Sequence, residues 1–367
     1  LTVFSIFTAF LIFGVLKTFD KALNAGVELA DANRLITMSK ISLIQPLPYA
    51  HYNKIKATEG VQNATFAVWY GGYYQDPKNF IGALAVESET YMDIYPEMVV
   101  SEEQRKNYLG NRRGLIVGKA LAEQYGWQLG DTIPIMSNIW TNTDGSRAWE
   151  FKIEGIFTGS DESIDTRSLI FHYAYLNEAR TFWKDTIGWL TVKTTSPYLN
   201  KTVSEAIDNQ FANSPNETKT STEAAFGKAF LEQFGNIGLI ITSVVGAAFF
   251  TILLIAGNTM ILAVRERTNE IAVMKTLGFS NTQVGSLIIS EAMFLVLLGG
   301  LPALGFSWIA IEVLKTLGGG NLPPMTLNLE ILLQATGYML LLGLVTGGLP
   351  AFNALRIHVA AALGRKA

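Results

Sequence analysis

The stretch that decides the fold is Arg265-Glu-Arg-Thr-Asn-Glu270-Ile-Ala-Val-Met-Lys275-Thr-Leu-Gly278-Phe-Ser280. Its charges, Arg265, Glu266, Arg267, Glu270 and Lys275, sit between two runs that carry none, Gln233–Val264 and Ala292–Ile311. Each run reaches the roughly 20 apolar residues that a helix needs to cross a bilayer. Within the stretch, Ile271, Met274 and Leu277 recur at helical spacing, and Gly278 supplies a stop. Glu266 and Glu270 lie four apart on a neighbouring face, an arrangement that weakens an isolated helix slightly unless Arg267 or a cationic partner relieves it. Two readings stay open: a solvated connector lying on the membrane, or a docking helix that offers carboxylates and an apolar ridge to another protein.

Outward from this segment, charge is unevenly spread. The chain is 49% hydrophobic and 16% charged, where soluble domains average about 25% charged. Residues 1–16 carry no charge, residues 17–232 carry 47 charged side chains, and residues 233–367 carry 12. This partition excludes a simple soluble enzyme and a fully embedded channel alike. It predicts four transmembrane helices, at 1–16, 233–264, 284–314 and 331–355. The first is short and the chain begins at Leu1, so residues are expected to be missing before it; no signal peptide is visible. Arg265, Arg267 and Lys275 in the 265–283 segment, with Arg356, Arg365 and Lys366 in the 356–367 tail, outnumber the single Lys315 of the 315–330 loop. The positive-inside bias therefore puts 265–283 and the tail in the cytoplasm, and 17–232 and 315–330 outside it.

The 17–232 region is long enough for its own core and reads as α+β. Gly114–Gly118 is expected as a strand, Lys119–Tyr125 as a helix, Thr132–Ile139 and Trp149–Phe157 as a hairpin around the polar turn Thr141–Ser146. Apolar residues at helical spacing, Leu16, Phe19, Leu23, Val27 and Ala30 at one end and Phe226, Phe230, Phe234 and Ile237 at the other, predict helical stalks adjoining the spans.

Signs of chemistry are few. Cysteine is absent, which rules out disulfides and thiol chemistry, and a net charge of −3 gives no reason to expect nucleic acid. His51, His172 and His358 are scattered, without metal-ligand spacing. Asp161, Glu162 and Asp165 after Gly159 read as a solvated acidic loop in preference to a cation site. The aromatic run Trp69–Tyr74 reads as a strand and its turn, with ligand contact as the alternative. Three sequons, at Asn63, Asn200 and Asn216, are read as chance in a bacterial protein. In the spans, Glu291 enters an otherwise apolar helix. An intramembrane carboxylate is a functional candidate by default; the structural alternative pairs it with Arg265 or Arg267 near the boundary. Pro302 and the Gly343-xxx-Gly347 pair are read as packing features, a kink and a close helix approach.

The segment Glu266–Val284, with Ser290-Glu-Ala292 and Leu298-Gly-Gly300, resembles the FtsX-type permease domain of the MacB/FtsX (type VII) superfamily of ABC transporters. The string Ile116–Ala122 with Gly126 and Leu129-Gly-Asp131 resembles the MacB-type periplasmic core domain. One span, a large extracytoplasmic domain and three further spans fit that family's topology, with 233–355 as the FtsX-like part.

The resemblance implies a permease subunit in the bacterial inner membrane, non-catalytic itself and without a cofactor of its own. No GxxxxGK[ST] phosphate loop occurs in the sequence, which resembles the split arrangement, with ATP and Mg bound by a separate cytoplasmic ATPase present in two copies. It also implies a second permease chain, and, in MacB-like members, a periplasmic adaptor and an outer-membrane duct. Glu266, Arg267, Glu270, Ile271, Met274, Lys275, Leu277 and Gly278 are then the expected ATPase-coupling residues. Mechanotransmission to the outer domain is the leading expectation; lipoprotein release and FtsX-like activation of a cell-wall hydrolase are the alternatives.

Overall fold

The computed structural model describes residues 2–28, 30–161, 164–233, 237–318 and 325–355. The 356–367 tail, Leu1, Glu162, Phe234 and residues 319–324 of the expected outer loop lie outside them, as do the side chains of Val27 and Ile237. The chain divides into a unit of long apolar helices and an α+β unit centred on residues 24–233.

After helix α1 (Thr2–Glu28) come β1 (Arg34–Ser39), β2 (Leu47–Pro48), α2 (Ala50–Lys56), β3 (Val61–Trp69), β4 (Gly72–Tyr73) and β5 (Phe80–Val86). Then follow α3 (Tyr91–Ile94), β6 (Met98–Val99), α4 (Glu102–Gly110), β7 (Gly114–Gly118), α5 (Lys119–Tyr125), β8 (Thr132–Ser137) and β9 (Ala148–Gly159). The unit continues with β10 (Ser168–His172), α6 (Tyr173–Ala179), β11 (Thr186–Ile187), β12 (Trp189–Thr194), α7 (Asn200–Phe211), β13 (Thr218–Thr222) and α8 (Glu223–Gln233).

Period-two burial builds the sheet. Along β9, Trp149, Phe151 and Ile153 are fully buried while Glu150 and Lys152 face out, the alternation of a half-covered strand. β7 is buried at every position, as expected of an apolar run covered on both faces. The strands β4, β8, β9, β7, β10 and β5 form a closed ring, because β5 pairs with β4 on one edge and in parallel with β10 on the other. From β5 a second wing extends through β3, β12 and β1 to β13. Tyr70, Leu115, Trp149, Phe151 and Phe171 fill the ring, and Leu35, Phe66, Leu190 and Ile207 continue the same core under the wing.

The helical unit contains four helices long and apolar enough to cross a membrane, Thr2–Asn24, Gly238–Glu266, Asn281–Thr316 and Leu329–Leu355. These lie within α1, α9 (Ile237–Glu266), α11 (Asn281–Gly318) and α12 (Leu329–Leu355), with the short α10 (Thr268–Thr276) between α9 and α11. Phe10, Phe13, Phe249 and Tyr338 make an aromatic cluster, with Phe13 and Tyr338 edge to face at 5.5 Å. Gly343 and Gly347 do bring α12 hard against α11. A Cβ on Gly347 would stand 2.9 Å from the Ala292 Cβ and 3.0 Å from the Ile289 Cα, and one on Gly343 3.1 Å from the Met293 Cα. α11 runs unbroken through Pro302.

Three details differ from the sequence expectation. The first span and its stalk are a single helix that ends at Glu28, so Ala30 falls beyond it. On α8, Phe226 and Phe230 stack at 6.4 Å and line a cavity of the α+β unit, which a stripe pattern alone does not foretell. Thr132–Ile139 ends as a strand at Ser137, where the Ser137 hydroxyl accepts the N–H groups of Ile139 and Trp140 and turns the chain.

Candidate functional site

The charged segment 265–280 folds as a corner whose two ends are closed by local rules. At the far end, Gly278 takes φ +95°; its N–H donates to the Lys275 carbonyl, and the Phe279 N–H donates to the Met274 carbonyl, a Schellman stop. Ser280 then begins α11 with a capping box: the Gln283 N–H donates to the Ser280 Oγ at 3.3 Å, and the Ser280 N–H donates to the Gln283 Oε1 at 2.8 Å.

Three contacts tie this corner to the neighbouring helices. Arg267 Nη1 donates to both oxygens of Glu291 on α11, at 3.1 and 3.2 Å. Lys275 Nζ donates to the carbonyls of Ala354 and Leu355, at 3.0 and 3.1 Å, where the last turn of α12 leaves acceptors free and favours a cation. Ile271 and Ala272 are buried, Ile271 in a cluster with Met260, Val264, Val284, Ile288 and Ala292. A cavity of about 200 Å³ beside the Arg267–Glu291 pair is lined by Arg267, Glu270, Met274, Leu287 and Glu291.

The apolar stripe expected to face outward is thereby split. Ile271 points into the helical unit, Met274 is half-buried against the same cluster, and only Leu277, 74% exposed, stays free of it. The exposed apolar side chains of the corner are Val273, Leu277 and Phe279, with Glu266 and Glu270 also exposed. Helical spacing gave the period but not its phase against the bundle. Glu291 pairs with Arg267, the structural alternative for this carboxylate.

In the α+β unit, the structure joins residues that the sequence reading did not single out. Arg34, 3% exposed, donates through Nε to Glu223 at 2.6 Å and through Nη1 to Glu97 at 2.7 Å and to the Ile94 carbonyl at 3.1 Å; its guanidinium lies 4.6 Å over the Tyr95 ring. Burial outweighs the charge and hydrogen bond of Arg34 and holds the Glu223 carboxyl above its ordinary range. Arg34 follows α1 by a short link and Glu223 opens α8, so this node ties together both chain connections to the helical unit. The strands beside it, β1 and β13, pair from Leu35↔Thr222 to Ser39↔Thr218. The signal in the sequence was the isolation of Arg34 in an otherwise uncharged strand.

No group of three or more His, Cys, Asp or Glu able to hold a metal occurs among the described residues. Asp165 is engaged by Arg167 in a bidentate pair at 2.8 Å. His172 is spent structurally: Nε2 donates to the Tyr108 carbonyl at 2.8 Å, which leaves Nδ1 to accept from the Ser88 hydroxyl at 2.8 Å. Burial lowers its pKa.

Four apolar spans, an inserted α+β domain and a charged corner between spans two and three define the class, a multi-pass membrane protein. The MacB-like periplasmic core domain family matches residues 2–210, and the FtsX-like permease C-terminal family matches residues 237–359. The chain belongs to the MacB/FtsX family of ABC transporter permeases. It is 26% identical over 158 residues to the ABC transporter permease YknZ of Bacillus subtilis, covering 42% of this chain and 39% of that relative. It is 32% identical over 108 residues to the macrolide export ATP-binding/permease protein MacB of Psychrobacter cryohalolentis, covering 29% of this chain and 16% of the relative. The chain thus spans well under half the length of either protein. Among solved structures, the periplasmic region of MacB from Actinobacillus actinomycetemcomitans aligns with a TM-score of 0.39 at 13% identity, covering 55% of this chain and 94% of that one.

Proposed function

We propose that this permease is the moving part of an ABC assembly that works by mechanotransmission. Two copies of an ATPase, which bind ATP and Mg on residues this sequence does not contain, dock on the exposed edge of the 265–280 corner. That edge comprises Glu266, Glu270, Val273, Leu277 and Phe279. A second permease chain completes the assembly, which sits in the bacterial inner membrane with the corner and the C-terminus in the cytoplasm and the α+β domain outside. ATP-driven closure displaces the corner; Arg267–Glu291 passes the displacement to α11, and Lys275 passes it to α12. The α+β domain moves in response and extrudes a substrate, in MacB-like assemblies through an adaptor and an outer-membrane duct. The permease itself performs no covalent chemistry.

The observation that carries this reading is the Arg34 node. Both connections between the helices and the outer domain arrive on one strand pair, β1–β13, and are bonded to each other there. Such an attachment suits transmission of displacement. The chain has no cysteine, so a single one at the exposed Lys201 on α7 labels the domain uniquely. In the assembly reconstituted with its ATPase, the spin-label distance between the two permease chains should change on ATP binding. Several glycines inserted after Ala30 should leave hydrolysis in place and abolish that change. Parental distance changes in the insertion mutant would sink the proposal.

A further inference from the structure

The α+β domain contains a cavity of about 570 Å³ whose walls are almost wholly apolar, including Trp69, Trp140, Trp183, Trp189, Phe226 and Phe230. That volume lies within the range of small-molecule sites. Trp69, 42% exposed, belongs to the aromatic run for which ligand contact was the alternative reading, and Trp183 is 47% exposed.

One charged side chain contributes to this wall. Arg180 is fully buried, and its guanidinium lies between Trp140 and Tyr173, 5.1 and 5.5 Å from their ring centres. Nη2 donates to the Thr186 carbonyl at 2.8 Å, to Asn177 Oδ1 at 2.5 Å and to the Tyr173 hydroxyl at 3.3 Å. Nε and Nη1 are buried and have no hydrogen-bond partner. Among the described residues no carboxylate stands within ion-pair distance of it; Asp185 acts on it only at longer range and accepts from Asn177 Nδ2 at 2.9 Å. An arginine keeps its charge in any protein environment, and an uncompensated buried charge costs several kcal/mol. The other buried arginine of this domain, Arg34, meets two carboxylates. Arg180 meets none.

We propose that this cavity binds a single-chain anionic amphiphile, whose alkyl chain fills the tryptophan-lined space while its carboxylate or phosphate headgroup accepts from one of the unpartnered Arg180 donors, Nε or Nη1. Either headgroup supplies a charged acceptor for such a donor. The proposal concerns binding alone and stands apart from whether the domain moves.

The test uses the full-length chain in nanodiscs of neutral phosphatidylcholine. Titration with 12-bromododecanoate should quench tryptophan fluorescence saturably. Dodecanoate and dodecyl phosphate should both reverse the quenching, whereas dodecanol and dodecyltrimethylammonium should be at least tenfold weaker. Carboxylate competition alone would assign a fatty acid as the source, and phosphate competition alone a lysolipid-type headgroup. R180M should weaken binding at least tenfold and abolish headgroup preference; W183A, at an exposed position, should weaken it while leaving the preference intact. Four outcomes overturn the assignment: no saturable quenching, equal competition by dodecanol, parental binding by folded R180M, or quenching that falls with protein concentration as copies of the chain cover the cavity. If R180M does not fold, headgroup preference in the parent and in W183A decides.

Discussion

The two units of this chain hold themselves together by different means. In the α+β domain, two sets of buried polar groups are bonded closed, Arg34 with Glu97 and Glu223, and Ser88 with Tyr108 and His172, while Arg180 is left open. In the helical unit, contact comes from small residues that let backbones approach, as at Gly14 beside Ser307 and Gly347 beside Ala292. Its few charges include two pairs between helices, Lys21 with Glu330 and Arg267 with Glu291. The difference has an energetic reading. Breaking a closed polar set leaves a buried charge, a large and all-or-none loss, whereas helices packed through small residues lose contact gradually as they slide. The proposed mechanism asks the first unit to keep its shape and the second to allow displacement.

The sharpest way to break this comparison is Arg34→Ala. With Glu97 and Glu223 left half-buried and unpaired, the domain should lose about 3–5 kcal/mol. Six of the seven tryptophans lie in it, so unfolding of the full-length chain can be followed by their fluorescence. R34M with E223Q should recover part of the loss. A cost below 1 kcal/mol for R34A would mean that the node does not hold the domain.

A smaller effect is expected in the helical unit. Gly347→Leu must push α12 off α11 and should cost about 1–3 kcal/mol, read as a lower aggregation temperature in detergent. Gly348→Leu, where an added Cβ meets nothing within 4 Å, should be nearly neutral. Equal effects at the two positions would remove close packing as the explanation.

The third expectation concerns pH. His51 and His172 both have pKa values lowered chiefly by burial, so the folded domain favours their neutral forms. Their contribution is present above the unfolded value of about 6.5 and is lost as pH falls through the folded values. The domain's unfolding midpoint should therefore drop between pH 7.5 and 5, and H172N should flatten that slope. A midpoint insensitive to pH in this window would contradict the buried neutral assignment.

The smallest stability effect is expected at Arg267–Glu291. An ion pair this exposed contributes roughly 0.2–1 kcal/mol, so a double-mutant cycle on unfolding should give a coupling in that range. Transmission should suffer far more: R267A and E291A should each uncouple ATP hydrolysis from domain displacement. Unimpaired displacement in both variants would make the pair a mere surface contact.

Much of this architecture was legible in the residues because each relevant signal was local. Four apolar runs, the Gly278 stop, and the hairpin around Thr141–Ser146 all declare themselves within a dozen positions. The Glu291 partner was narrowed to two arginines because a carboxylate in an apolar helix has few ways to be satisfied. What stayed hidden depends on contacts far apart in the chain. The parallel pairing of β5 with β10, which closes the ring, carries no sequence mark, and neither does the meeting of Arg34 with Glu97 and Glu223. The phase of the Ile271–Met274–Leu277 stripe was not legible for a related reason: period is a property of one helix, but phase is fixed by its neighbours.

The β1–β13 pair has a further mechanical consequence. Arg34 precedes Leu35 and Glu223 follows Thr222, so both connections reach the pair at the same end. When α1 and α8 advance together, the two strands ride as one body and the ladder carries no load. When one advances past the other, the ladder is opened from its tip, rung after rung, beginning with the Arg34 node. Peeling in this order needs far less force than shearing all rungs at once. The domain would therefore follow the common motion of its two tethers faithfully and give way to their disagreement. In the proposed mechanism it would act as a filter that passes synchronous strokes and discards unbalanced ones.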